Sequence, residues 1–163
     1  MTFAAPDYFA GAPNVPQLAR AIVGTAGWMR RRCNEVLAET ALDVIKIYDL
    51  GQQCRVYREY IDSVLQSGDV TAVLEAIVAL LQQEGVGRPT LTSAQANTEL
   101  KAVYQAAGTF LTWATANLPT VGQTLTNPTV TVNRTFNSPD MTVTVTKVAA
   151  VTTQVTALRA AFA

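Results

Sequence analysis

Three groups of side chains have the type and spacing that chemistry needs. Glu35, Glu39 and Asp43 lie four residues apart. On a helix they line one face, the arrangement in which a bundle presents carboxylates to an acid–base pair or a metal. Carboxylate dimetal sites add histidines, and the chain has none. That also removes Ser-His-Asp and Cys-His devices and the side chain most used for proton transfer near neutral pH. The ordinary reading of such i, i+4 charges is a solvated stripe, here partly offset by Arg31 and Lys46. Cys33 and Cys54 sit 21 residues apart in helical patterns without a CxxC spacing. They read as small buried hydrophobes in a reducing compartment, too few and too scattered for a zinc set. Arg30, Arg31 and Arg32 are the densest charge. Successive helical residues turn by about 100°, so the three fan around the axis and make no flat patch. Salt bridges across a helix or subunit interface are the expected role, with a DNA-facing lumen as the alternative. Arg55 with Glu59 and Arg58 with Asp62 are further i, i+4 pairs. No GxxxxGK[ST] loop or GxGxxG turn occurs, so no nucleotide cofactor is implied. The chain is expected to be no enzyme, with no metal and no cofactor.

The residues around these groups change character near position 89. Residues 1–88 hold 18 of 24 formal charges and 4 of 22 threonines, and residues 89–163 hold 6 charges and 18 threonines. The net charge is zero, which argues against steering toward bulk nucleic acid or anionic membrane. At 163 residues one domain can bury a real core. The first basic residue is Arg20, so the charged leader of a secretory signal is not expected. The apolar run Val70 to Leu81 contains Glu75 and is short of the roughly 20 residues a bilayer requires.

The elements follow from period and punctuation. Residues 1–16, with three prolines, exclude a helix or central strand and read as an extended arm carrying Phe3, Tyr8 and Phe9. It is either a frayed tail or a segment whose aromatics dock on a neighbour. Residues 17–118 read as a helical core. Leu18, Ile22, Trp28, Met29, Val36, Leu37, Val44, Ile45 and Tyr48 recur at helical spacing in one long helix or two. Gly51 punctuates, and a helix to about Gln66 buries Cys54, Tyr57, Ile61, Val64 and Leu65. Ser67-Gly68-Asp69 supplies a glycine stop and an aspartate cap. Residues 70–84 form a helix apolar nearly all round, expected to be central. Thr92 and Gln95 make a capping box, with Leu91 stapling against Ala96. The next helix runs to Asn117 on a stripe of Leu100, Val103, Tyr104, Ala107, Phe110, Leu111 and Ala114.

After Pro119 the period drops to two. Val130, Val132 and Phe136 alternate with threonines and Asn133, as do Met141, Val143 and Val145 with threonines, around a turn at Asn137 to Asp140. The pattern predicts a β-hairpin over 129–147 pairing Phe136 with Met141, Arg134 with Val143, Val132 with Val145 and Val130 with Lys147. Residues 149–162 form a short helix whose seam, Val151, Val155, Leu158 and Phe162, is too short to be stable alone and needs a partner. The expected class is mainly α (α+β): a helical bundle with a C-terminal β-hairpin and a short terminal helix, residues 119–163 serving as an assembly extension.

In alanine and threonine richness, in its charge-poor second half and in this layout, the chain resembles the virion structural proteins of tailed bacteriophages. It is similar to the small head-to-tail adaptor or neck proteins among them. The resemblance covers the whole chain without a diagnostic motif. It implies a homo-oligomeric ring contacting portal and tail proteins in the virion, made in the host cytoplasm, with DNA passing unread through the lumen. Sequence-specific nucleic acid and membrane are not expected partners. The residues expected at interfaces are Phe3, Tyr8, Phe9, Val132, Phe136, Val143, Val145, Val151, Val155, Leu158 and Phe162, and Arg30 to Arg32 are expected at a lumen or in salt bridges. A helical protein-binding or regulatory module is the alternative.

Overall fold

The computed structural model describes residues 15–39, 44–83, 87–117, 130–132, 141–143 and 145–162. Within them run α1 (Val15–Ala38), α2 (Val44–Ser67), α3 (Val70–Gln82), α4 (Ser93–Asn117), β1 (Val130–Val132), β2 (Met141–Val143) and α5 (Val145–Ala160). The helical stripes become the core. α1 buries Leu18, Ile22, Met29, Cys33 and Val36, and α2 buries Ile47, Leu50, Cys54, Tyr57 and Val64. These residues recur three, four or seven positions apart, so each set falls on one stripe. Gly51 lies inside α2 and does not end it; a Cβ there would meet only Phe110 Cε1, at 3.9 Å. The first helix ends at Ala38 and the second begins at Val44. Gly68, at φ +76°, supplies the left-handed residue that stops α2. The Asp69 carbonyl accepts the Val73 N–H at 2.9 Å, but its side chain makes no cap bond.

α1 and α2 are antiparallel, Arg32 meeting Asp49 across them. α2 and α4 are antiparallel too, with Tyr104 beside Asp62 and Gly51 beside Phe110. α3 and α5 both pack against α1 and α4. Ala161 and Phe162, just past α5, border the same cleft as Ala96 and Glu99 near the start of α4. α5 therefore runs antiparallel to α4, and its end lines that cleft together with Ile77 and Leu81 of α3. One cluster joins all five helices, including Val73 and Ile77 of α3, Val103, Ala107 and Phe110 of α4, and Val151, Val155 and Leu158 of α5. Each large side chain so buried contributes about 1.5–3 kcal/mol.

The α4 start follows its sequence signature. Gln95 N–H donates to Thr92 Oγ1 at 3.2 Å, and Thr92 N–H donates to Gln95 Oε1 at 3.0 Å. Leu91 and Ala96 are buried together with Val78.

Two further expectations are corrected. The α+β class with a hairpin over 129–147 does not stand: helices carry the fold, and the strand pairing described is a three-residue ladder, Val130 with Val143, Thr131 with Thr142 and Val132 with Met141. Val145 and Lys147 belong to α5, so the pairs Val132–Val145 and Val130–Lys147 do not form. Met141 faces Val132, not Phe136. Alternation and helical seam compete for residues 145–147, and the helix prevails because it satisfies its own backbone and docks on a core, whereas a two-stranded ribbon is marginal. The second correction concerns α3. It is peripheral, burying Val73, Ile77 and Val78 while Val70 stays 38% exposed.

Candidate functional site

Trp28, Arg32, Glu35 and Glu39 of the α1 stretch meet Lys46 and Asp49 of α2 in one polar network. The Trp28 indole N–H and Arg32 Nε–H both donate to Asp49 Oδ2 at 2.7 Å. Arg32 Nη1 donates to Glu35 Oε2 at 2.8 Å, and Lys46 pairs with Glu39. The guanidiniums of Arg31 and Arg32 lie 5.4 and 4.9 Å from the Trp28 ring centre. The Asp49 hydrogen bond is the main cause that raises the Arg32 pKa above its ordinary value. Glu35 and Glu39 are thus tied to cations, and Asp43 lies outside the described residues. No group of three or more His, Cys, Asp or Glu able to hold a metal occurs among the described residues. Glu35 and Glu39 fasten the α1 stretch to α2.

The thiols are equally unsuited to reaction. Cys33 and Cys54 are free and fully buried. Burial pushes the Cys33 thiol up to about 12 against a partial offset from Arg159, and it raises Cys54 as well. A thiol held neutral is neither nucleophile nor ligand. The i, i+4 pairs expected of Arg55 with Glu59 and Arg58 with Asp62 do not form among the described ion pairs. Arg58 instead lies 4.1 Å from the Tyr104 ring centre, and the Tyr104 hydroxyl donates to Asp62 at 2.7 Å. Gly108 makes room for this stack, since a Cβ there would come 1.5 Å from Arg58 Nη1.

The chemically distinctive surface is a cleft of about 490 Å³ where α1, α3, α4 and the end of α5 meet. Its apolar wall includes Tyr57, Ile77, Leu81, Leu100 and Phe162, and its polar wall Arg30, Arg31, Asn34, Arg88 and Glu99. Arg88 is paired: it grips Glu99 through two hydrogen bonds of 2.7 Å. Arg30 and Arg31 are exposed and have no carboxylate partner among the described residues. Arg159 holds Asn34 through a 2.7 Å bond from Nε and the Phe162 carbonyl through a 3.1 Å bond from Nη1, fixing the α5 end of the cleft. The arginine run is therefore divided. Arg32 is committed to Asp49 and Glu35, while Arg30 and Arg31 offer forked donors beside apolar surface, able to receive a carboxylate or phosphate that carries an apolar body. Arg88, Glu99 and Asn34 escape a reading by spacing because helix packing alone brings them to Arg30.

The seam residues Val151, Val155 and Leu158 are buried in the chain's own core, and Phe162 packs partly buried against it. The partner that the seam requires is α1 and α4. Val132 and Val143 lie in β1 and β2, and Val145 opens α5. Phe3, Tyr8, Phe9 and Phe136 lie outside the described residues. No described helix is long and apolar enough to cross a membrane.

A mainly helical bundle with a divided arginine run and a cationic, half-apolar cleft is the class that fold and site define. No family model matches the chain, no curated protein matches its sequence, and no solved structure matches its fold.

Proposed function

We propose that the chain is a non-enzymatic structural assembly protein, a subunit of a homo-oligomeric ring at the head-to-tail connection of a tailed-phage particle. The observation that carries this reading is the connection between α4 and α5. Antiparallel helices that pack on each other need a link of only about 2–8 residues. Here Asn117 and Val145 are separated by residues 118–144, a stretch of 27. That stretch contains eight threonines and only two charged residues, Arg134 and Asp140. A long, nearly uncharged insert rooted at both ends in a packed core is suited to contact protein. Arg30 and Arg31 serve the same purpose by receiving acidic groups of a neighbour, and portal and tail components are the neighbours the reading implies. The native mass of the purified particle tests it. A closed ring of many copies is the expected result, and a monomer or dimer would overturn it in favour of a helical protein-binding module that uses the cationic cleft.

A further inference from the structure

The second cleft of the molecule lies on the other flank of α3. It measures about 340 Å³ and is lined from α1 by Ile22, from α2 by Val64 and Leu65, from α3 by Val70 and Leu74, and from α4 by Tyr104 among others. Its walls are almost wholly apolar, and Lys101 is the one charged residue on them. Leu65 and Val70, at its rim, are 61% and 38% exposed. Lys101 has no ion-pair partner among the described residues. A helix as apolar as α3 is normally covered, and the described residues leave this flank open.

We propose that the aromatic residues of the chain's own N-terminal segment, Tyr8 and Phe9 with Phe3 behind them, seat in this cleft. Three observations meet here. α1 begins at Val15 and itself lines the cleft at Ile22, about 10 Å along the helix at 1.5 Å per residue. Phe9 precedes Val15 by six residues, an extended reach of about 20 Å, and Gly11 and Pro13 between them are residues that turns favour. The segment is therefore long enough to fold back onto the cleft. Its chemistry also complements the walls: Asp7 is the only charged side chain in residues 1–14 and stands beside the two aromatics, as Lys101 stands among the apolar lining. Aromatic rings bury much apolar area for few rotatable bonds, which suits a short segment held at one end. A tether of this length also gives the chain's own segment a local concentration that a neighbour's must exceed.

The proposal is independent of ring formation. It is tested in the full chain with Tyr8→Cys and Leu65→Cys together, because Cys33 and Cys54 are fully buried and leave the engineered pair as the accessible thiols. A control pair joins Tyr8→Cys to Gln52→Cys, an exposed position on the same helix about 20 Å away at the helical rise. On mild oxidation the first pair is expected to close within one chain at least tenfold faster than the control, giving a compact monomer on a non-reducing gel. Equal rates for the two pairs would overturn the proposal by showing that the segment is not seated. A bridge between two chains would overturn it by making the occupant a neighbour's segment. Adding Phe9→Ala to the first pair slows closure if the ring anchors the segment, and an unchanged rate would count against the aromatic seat.

Discussion

Asp49 joins α2 to α1 through two side chains. One carboxylate oxygen accepts from both Trp28 and Arg32, and Arg32 in turn holds Glu35. Side-chain exposures of 22% for Arg32 and 28% for Asp49 leave water close, so the pair is worth less than a buried one. Asp49→Asn keeps the shape and removes the charge. It is expected to cost about 1 kcal/mol, since hydrogen bonds to charged groups are worth about 1.5–3 kcal/mol before solvent discounts them. Urea unfolding at low and high salt checks this, and the difference between the two chains should shrink at high salt. The thiols set a pH dependence of definite sign. Burial raises Cys33 from 9.0 to about 12, so the folded chain keeps a neutral thiol where the unfolded chain ionises. This contribution is fully present below pH 9 and is lost as pH rises from 9 toward 12. Cys33→Ala is expected to lower stability at neutral pH but to flatten the alkaline decline, as read from urea midpoints at pH 8 and pH 10.5. Native chains should also resist thiol reagents until unfolded.

At the scale of elements, α5 shows how a weak helix becomes indispensable. Alone it is too short to persist in water, yet Val151 and Val155 are wholly buried and Leu158 is 1% exposed against α1 and α4. Removing its anchor leaves a cavity that rigid neighbours cannot fill. Leu158→Ala is therefore expected to lower stability by about 2–4 kcal/mol, with helical signal and tertiary packing lost in one transition when followed by circular dichroism and tryptophan fluorescence. A loss of oligomer mass with unchanged stability would place α5 outside the core. α3 behaves in the opposite way. Its sequence asks for burial on every side, but the bundle fully buries only Val73, Ile77 and Val78 among its residues, and its other flanks line two clefts.

For the whole molecule, α5 closes the described bundle through Val151, Val155 and Leu158. Replacing residues 119–143 by a short glycine-serine link keeps every described member of the buried cluster and relieves the entropy of closing a long loop, which changes slowly with length. The shortened chain is expected to keep its helical content and its melting temperature within a few degrees, while its native mass falls to that of the monomer. An unchanged mass would move the assembly surface to the cationic cleft or elsewhere on the helices.

Much of this was legible from residue types alone. Apolar repeats at helical spacing marked α4, the α5 seam and the helical character of α1 and α2, though not their division, which was expected at Gly51 and not before Val44; Gly68 marked the stop after α2, and Thr92 with Gln95 marked the start of α4. These signals are local: capping and periodicity act within one or two turns and need no distant partner. The absence of histidine likewise settled which catalytic devices could not exist. What local signals could not decide was everything that depends on which stripe meets which. Val145 to Lys147 suit a strand and a helix equally, and only docking of α5 on α1 and α4 took them into the helix. Arg31 and Arg32 are neighbours in sequence, yet the fold paired one with Asp49 and left the other at a cleft. α3 reads as a central helix and lies at the edge, because three long helices already enclose the middle. Burial is a property of the assembled bundle, and no single segment carries the information of what will cover it.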